Sequence, residues 1–199
     1  MRFGSLIKLK REYEERYIIL HKHTFPGVLD RIRRSNIRNY SIFLRDGLLF
    51  SYFEYIGNEY EKDMERVGQD SVTQDWWKLT DPMQEPLETR KEGEWWASME
   101  EIFYWENKHM EKREAQRKAF MASIRDVSRK KKTSPIHQIQ ESTSRNIQKC
   151  SIYRKDSSLY CYLECIGRNV EEDSERFLVS LDVERGLQWN PMREVFHTD

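Results

Sequence analysis

The feature that most constrains this chain is a pair of similar segments that align with each other without a gap. Residues 36–57 read NIRNYSIFLRDGLLFSYFEYIG, and residues 146–167 read NIQKCSIYRKDSSLYCYLECIG. The same register continues beyond both segments, where Glu61, Asp63, Glu65 and Arg66 match Glu171, Asp173, Glu175 and Arg176. Agreement across several elements predicts the duplication of one structural unit.

A third pair of matching segments shows where the two copies differ in length. MEEIFYW at residues 99–105 matches MREVFHT at residues 192–198, but these two segments lie closer together in the chain than the other matched pairs. The second copy therefore carries a deletion between its second helix and its last strand.

Each copy reads as strand, helix, strand, strand, helix, strand. The alternating residues 2–9 predict a first strand, and residues 12–35 predict a helix that Pro26 and Gly27 kink or divide. Asp46-Gly47 predicts a tight hairpin turn between two alternating segments. This order is the ferredoxin-like βαββαβ motif, so the predicted class is α+β.

A four-stranded sheet with helices on one face leaves its other face uncovered. Ferredoxin-like units commonly solve this by packing sheet on sheet as a dimeric α/β barrel. The second copy can supply the partner within the chain as an intramolecular pseudo-dimer, and a homodimer would serve equally.

Composition excludes several classes of partner. The chain has 34 Lys and Arg and 34 Asp and Glu, which gives a formal charge of zero and argues against nucleic acid or an anionic membrane surface as partner. No apolar segment approaches the roughly 20 residues that span a bilayer. Three cysteines, at 150, 161 and 165, are typical of free thiols in a reducing compartment. We expect a cytoplasmic protein.

The first copy carries the candidate functional residues. Tyr17 and His21 lie four residues apart, on one face of the predicted helix, and Tyr40 opens the hairpin. Trp76 and Trp77 begin a segment that holds five of the six tryptophans. An imidazole, phenol hydroxyls and indole rings together predict a pocket for a neutral ligand, and a sugar suits it. The C–H face of a sugar ring stacks on indole, and the hydroxyl groups of the sugar need hydrogen-bond partners.

Each of these residues also has a purely structural interpretation. An isolated His21 is more often an ordinary helix histidine, and adjacent tryptophans cannot both face one way on a helix, so one of Trp76 and Trp77 can pack while the other contacts ligand. Trp95 and Trp96 fit core or barrel-mouth packing.

Four motifs in this region resemble the L-rhamnose mutarotase family. They are Tyr17-Ile-Ile-Leu-His21 followed by Phe25-Pro26, then Asn39-Tyr40-Ser-Ile, Trp76-Trp77-Lys and Glu101-Ile-Phe-Tyr. Phe25 stands where the family often has Trp. The resemblance covers about residues 1–105 and implies an anomer-interconverting isomerase on a ferredoxin-like dimeric α/β barrel. It also implies that His21 is catalytic and that Tyr17, Tyr40, Trp76 and Trp77 bind the sugar.

Mutarotation requires one group to take the proton of the anomeric hydroxyl and another to protonate the ring oxygen. Histidine titrates near neutrality, so His21 is assigned as the proton donor in ring opening and the base in closure. The second proton-transfer group is Tyr17 or a bound water. The reaction moves no electrons, so we expect no metal and no organic cofactor.

The second copy keeps the framework residues but not the candidate site. Cys150 stands where the first copy has Tyr40, RKKKT lies near the position of His21, and the deletion removes the counterpart of Trp76-Trp77. The sequence therefore predicts a mutarotase-like domain at 1–105, a charged helical linker at 106–119 and a degenerate ferredoxin-like repeat at 120–199.

The favoured function is an aldose mutarotase that interconverts the α and β anomers of L-rhamnose or a similar deoxyhexose, a small neutral monosaccharide. A non-catalytic sugar-binding or sensor protein with the same pocket is the alternative. A haem-handling or small-molecule oxygenase on the same barrel is a further one, disfavoured because no clear haem-ligand motif is present.

Overall fold

A computed structural model describes residues 1–108, 110, 114–124, 145–181 and 187–199. Two units are distinguished: Met1–Met99 with Glu194–Asp199, and Glu100–Arg193. The strands are β1 Arg2–Leu9, β2 Ile37–Arg45, β3 Leu48–Tyr55, β4 Gln84–Glu85, β5 Ala97–Ser98, β6 Glu100–Glu106, β7 Gln116–Ser123, β8 Ile147–Lys155, β9 Ser158–Cys165 and β10 Asn190–Thr198. The helices are α1 Glu14–Lys22, α2 Pro26–Arg34, α3 Tyr60–Gln69, α4 Ser71–Thr80 and α5 Val170–Ser180.

The first unit has an antiparallel sheet built on the predicted hairpin. β3 pairs with β2 on one side and with β1 on the other. The turn between β2 and β3 places Asp46 at φ 49° and Gly47 at φ 73°. Two consecutive positive φ values match the twist of the flanking strands, which is why Asp-Gly predicted this turn.

The division of the first helical segment also follows the prediction. α1 ends at Lys22, and Pro26 is the first residue of α2, where its missing N–H costs no helical hydrogen bond. Buried residues of α1 and α2 pack in one core with residues of β1, β2 and β3; they include Ile7, Tyr17, Ile18, Val28, Ile32, Ile42 and Leu49.

A bulge in β2 aims side chains toward this core. Arg38 pairs with Glu54 and Ser41 pairs with Tyr52, so β2 has one more residue than β3 over this interval. Asn39, at the bulge, has φ 53°. Strict alternation would put Ile37 and Tyr40 on opposite faces, and the extra residue brings them to the same side.

The second unit repeats the hairpin and helix of the first in the register of the sequence repeat. β8 and β9 begin and end at the residues that the repeat matches to the ends of β2 and β3, and α5 begins at the match of the first residue of α3. In both units an asparagine before the hairpin donates a 2.8 Å hydrogen bond to an aspartate of the helix, Asn36 to Asp63 and Asn146 to Asp173. Duplication itself stays a prediction from the sequence.

The structure corrects the prediction of a helical linker at 106–119. Residues 116–119 begin β7, which pairs with β9 from Gln116 opposite Cys165 to Ser123 opposite Ser158. Local charge favoured a helix, but the backbone hydrogen bonds to β9 decide for a strand.

The observed units also differ from the predicted domain limits. Residues 100–105 were predicted to end the first domain but belong to the second unit, because β6 pairs with β8. Residues 194–199 were predicted in the second domain but belong to the first unit, where Val195 and Phe196 join the hydrophobic core and the end of β10 neighbours β2.

The helix predicted between β7 and β8, with its RKKKT segment, lies outside the described residues. Over the described ranges, the helices are too short or too polar to cross a membrane.

Candidate functional site

His21 lies on the buried face of α1 and is surrounded by aromatic rings. Its ring stacks on Tyr17, one helical turn earlier, with ring centroids 3.9 Å apart. Trp76 and Phe196 meet it edge-on at 5.2 and 5.6 Å. These neighbours leave 8% of His21 exposed. The spacing of four residues produces the Tyr17–His21 pair, as expected for one helical face.

The protonation of His21 follows from its surroundings. Nδ1 lies 2.9 Å from the backbone carbonyl oxygen of Tyr17. A carbonyl only accepts, so Nδ1 carries the hydrogen and Nε2 of the neutral ring is the acceptor. Burial disfavours the charged imidazolium and lowers the pKa of His21 to about 4, although the bond to Tyr17 partly opposes this. At neutral pH His21 is therefore an uncharged base.

His21 lines a cavity of about 200 Å³ inside the first unit. Its volume equals that of about six or seven liquid water molecules. It falls below the range of pockets for drug-sized ligands, so it suits a single small ring. Most of the lining is apolar: Val28, Ile32, Ile37, Ile42, Phe53, Met64, Val67 and Phe196. The polar groups are contributed by His21, Thr24, Tyr40, Thr73 and the two indoles.

Tyr40 reaches this cavity because of the bulge in β2. Its ring packs edge-on against Phe53 at 5.7 Å and against Phe196 at 5.5 Å. Burial raises the pKa of Tyr40 to about 12, so the phenol stays protonated at neutral pH. Among the described residues its hydroxyl has no hydrogen-bond partner, and it is available to a ligand.

Trp76 and Trp77 both line the cavity, although they point to different sides of α4. Asp70 caps this helix by accepting a 2.9 Å hydrogen bond from the backbone N–H of Thr73. Thr73, Trp76 and Thr80 form its buried face. Trp76 is 6% exposed and Trp77 is 38% exposed. One indole therefore forms an inner wall and the other the rim.

Tyr17 is placed differently from the other predicted residues. It stacks on His21 but is not among the residues that line the cavity. Its hydroxyl accepts a long 3.4 Å hydrogen bond from Nε2 of Gln84. Burial, together with the nearby Tyr40, raises the pKa of Tyr17 well above its ordinary value. This geometry suits a residue that holds the His21 ring in place.

The structure adds residues that the sequence did not single out. Phe196, from the last strand, contacts both His21 and Tyr40. Phe25, noted only as a family position, packs edge-on against Trp76 at 5.2 Å. The sequence did pair Phe196 with Phe103 of the other copy, but it carried no signal that the last residues of the chain belong to the first unit.

The second unit lacks these chemical groups at the corresponding described positions. Cys150, which matches Tyr40 in the sequence repeat, is fully buried within the hydrophobic core. Its sulfur lies 3.8 Å from that of Cys161, and both are free thiols. Within the described part of the chain, no group of three or more His, Cys, Asp or Glu side chains could hold a metal ion.

The sequence model of one protein family matches residues 2–105, which include all of these predicted positions. That is more than half of the chain. The chain belongs to the L-rhamnose mutarotase family. The resemblance inferred from the four motifs is thereby confirmed over the first half, and the family match does not extend to residues 106–199.

Two relatives in this family give the level of similarity. The L-rhamnose mutarotase of Oceanobacillus iheyensis is 33% identical over 72 residues, which are 36% of this chain and 64% of that protein. The chain thus spans less than two thirds of that relative. The L-rhamnose mutarotase of Lactiplantibacillus plantarum is 26% identical over 90 residues, 44% of this chain and 84% of that protein.

A solved structure extends the likeness over both units. A protein from Lactobacillus acidophilus, described as a candidate monooxygenase, superposes with a TM-score of 0.58 over 99% of this chain and 95% of its own. Only 8% of the residues are identical, so the likeness concerns the fold alone. This mutarotase-family chain has a mixed α/β fold with antiparallel sheets, shared with a monooxygenase-type structure.

Proposed function

We propose that the chain is an aldose mutarotase acting on L-rhamnose or a similar deoxyhexose, with His21 as the catalytic base. The observation that carries the proposal is a buried, neutral imidazole whose Nδ1 is held by a carbonyl 2.9 Å away and which lines a small aromatic cavity. Family membership supports the reaction class. The three buried thiols fit a reducing compartment, so the proposed location is the cytoplasm.

The site favours a deoxy sugar for physical reasons. Indoles of Trp76 and Trp77 offer flat surfaces to the C–H face of a pyranose. The methyl group of a deoxyhexose replaces a hydroxymethyl, and it requires no hydrogen bond from the apolar side chains that form most of the lining. A cavity of about 200 Å³ leaves room for one ring.

The proposed roles of the two proton-transfer groups differ from the sequence-based assignment. With a pKa of about 4, His21 is uncharged at neutral pH and cannot be the donor in ring opening. Nε2 of His21 takes the proton of the anomeric hydroxyl while the bond between the anomeric carbon and the ring oxygen breaks. The ring oxygen receives a proton from the hydroxyl of Tyr40, whose pKa of about 12 keeps it protonated beforehand.

Ring closure reverses both transfers. The carbonyl carbon rotates and presents its other face, the sugar hydroxyl returns its proton to Tyr40, and His21 returns its proton to the anomeric oxygen. No net proton is consumed. Tyr40 is preferred over Tyr17 as the proton donor, because Tyr40 lines the cavity and Tyr17 does not. The Tyr17 hydroxyl instead accepts a hydrogen bond from Gln84, which also lies outside the cavity lining.

Saturation-transfer NMR on the anomeric protons of L-rhamnose tests this proposal. Wild-type protein should accelerate exchange between the anomers, and His21→Asn and Tyr40→Phe should each reduce the catalysed rate by about 100-fold or more. Asn retains an N–H for the carbonyl of Tyr17, and Phe retains the ring of Tyr40. Sugar binding measured by calorimetry should remain within a few-fold in both variants.

The same measurements decide between the proposal and its alternative. Binding of L-rhamnose without faster exchange in the wild type would identify a non-catalytic sugar-binding protein. Faster exchange that survives both substitutions would refute the assigned roles and leave the reaction class intact.

A further inference from the structure

A second concave surface adjoins the cavity at Trp77. This groove, of about 640 Å³, is lined by Trp77 and Trp95 together with Lys10, Gln74, Lys78, Asp81, Pro82 and Gln84. Trp77 also lines the inner cavity, so one indole borders both spaces. All of these residues belong to the first unit.

The groove exposes two indoles that the fold covers only in part. Trp77 is 38% exposed and Trp95 is 44% exposed, while Trp76 is buried at 6%. Trp95 is held in place, because its Nε1 donates a 2.9 Å hydrogen bond to Oε1 of Gln84. A fixed, exposed indole beside polar side chains is the surface that stacks on a sugar ring.

Asp81 supplies a hydrogen-bond acceptor in the same groove. It is half-buried, and burial raises the pKa of its carboxyl group. Within the described residues the carboxylate of Asp81 has no hydrogen-bond or ion-pair partner, so it is available to ligand hydroxyls. The two lysines have other contacts, since Lys10 donates to the carbonyl of Pro82 at 2.7 Å and Lys78 pairs with Asp75 at 2.8 Å.

These contacts decide the class of ligand. A phosphorylated or otherwise anionic group would meet the Asp81 carboxylate, and of the two lysines Lys78 is already ion-paired with Asp75 while Lys10 already donates to a backbone carbonyl. A neutral ring with hydroxyl groups matches the two indoles and the free acceptor. The inner cavity has room for one ring, so the groove offers room for a second ring joined to it past Trp77.

We propose that the groove binds a second sugar ring, glycosidically linked to the deoxyhexose in the cavity, so that the protein acts on the reducing end of an oligosaccharide. This inference rests on the proposed function. Mutarotation requires only a free anomeric centre, and a glycosyl group on another hydroxyl leaves the same bonds to break and form. The proton transfers by His21 and Tyr40 are unchanged.

The probes are L-rhamnose and the dirhamnosides that are linked through the 2-, 3- or 4-hydroxyl of the reducing ring. Anomeric exchange and calorimetric binding are measured for each, with the full-length protein. The expected ratio of kcat/KM for the best dirhamnoside over L-rhamnose is about tenfold, which corresponds to ~1.4 kcal/mol from one added stacking contact. Trp95→Ala should abolish that advantage.

Two further variants make the test specific. Asp81→Asn keeps the shape of the groove but replaces an acceptor by an amide, and should lower the ratio about threefold to tenfold. Ile19→Ala removes an exposed apolar side chain of α1 away from the groove, where Ile19 is 51% exposed, and should leave the ratio unchanged. If Trp95→Ala does not fold, Asp81→Asn decides.

The outcomes separate this inference from the proposed function. Suppose that the protein accelerates exchange of L-rhamnose, but that every dirhamnoside is bound and turned over no better than L-rhamnose. This result would overturn the proposed groove and leave the proposed function intact. If no sugar is turned over, the proposed function fails. The affinity of the best dirhamnoside relative to L-rhamnose, measured by calorimetry, then still tests whether the groove binds a second ring. Equal losses for both sugars in Trp95→Ala would also overturn the inference, because they would indicate a structural effect.

Discussion

Acid should destabilise this protein through His21, and the size of the effect follows from its surroundings. The residue is 8% exposed, and among the described residues its ring makes one hydrogen bond, from Nδ1 to the carbonyl of Tyr17. Protonation would place a charge among the rings of Tyr17, Trp76 and Phe196. The pKa therefore falls from 6.5 in a solvated histidine to about 4 in the folded protein.

The sign follows from proton linkage. Between about pH 4 and pH 6.5 the unfolded chain binds a proton at residue 21 and the folded chain does not. Stability therefore falls as the pH is lowered through 6.5, and the loss levels off below about 4. Each pKa unit corresponds to ~1.4 kcal/mol, so the full loss is about 3 kcal/mol, most of it present at pH 4.5.

The perturbation is His21→Asn, and the assay is urea unfolding of both proteins at about pH 7 and pH 4.5. Protonation of carboxylates elsewhere destabilises the two proteins equally. The difference between the pH dependences of the two unfolding free energies therefore isolates the effect of residue 21. We expect the wild type to lose about 2 to 3 kcal/mol more than the variant.

A difference below about 0.5 kcal/mol would refute this reasoning. An NMR titration of the His21 ring with a midpoint near 6.5 would refute it independently, because the imidazolium would then be solvated or paired.

Three other perturbations test separate parts of the structure. If neutral His21 is the base, kcat/KM for anomer exchange should be level from pH 6 to pH 8 and fall only near its pKa of about 4; a midpoint near 6.5 would contradict this. Phe196→Ala should destabilise the protein by about 3 to 4 kcal/mol in urea unfolding and weaken sugar binding, whereas Phe196→Leu should cost less than half as much. Equal losses in the two variants would contradict the placement of Phe196 in the cavity wall. Gly57→Ala should cost about 1 to 3 kcal/mol, because the added Cβ meets the Tyr55 hydroxyl and lies 2.8 Å from Nδ2 of Asn36. Its matched control is Gly68→Ala in α3, where an added Cβ meets no atom within 4 Å apart from its chain neighbours and the backbone of its own helix; this variant should be neutral or stabilising by up to about 1 kcal/mol. Similar thermal shifts for the two glycine variants would mean that crowding at Gly57 is absent.

Much of the local structure was predictable because it depends on short-range chemistry. Asp46-Gly47 requires positive φ values that few other pairs tolerate, and Pro26 can begin a helix but not continue one. The register of the sequence repeat correctly matched β2, β3 and α3 with β8, β9 and α5. These features are recorded in neighbouring residues, so the sequence alone determined them.

The prediction of a helical linker at 106–119 was wrong because the structure there depends on a segment that is distant in the sequence. Residues 116–119 have the charge and helix propensity of a solvated helix, but their backbone pairs with β9, which lies far along the chain. The polar residues that begin β7 carry no local sign of this pairing, because the partner strand is distant in the sequence.

The candidate site divides in the same way. The sequence identified His21, Tyr40, Trp76 and Trp77, and all four line one cavity. It could not reveal that a bulge turns Tyr40 inward or that Tyr17 lies behind the histidine ring. Nor could it place Phe196 beside His21, because the two residues lie near opposite ends of the sequence. The low pKa of His21 is also a tertiary property, because desolvation depends on which rings exclude water from it. Sequence determined which chemical groups are available; packing decided which of them meet and which one can accept a proton.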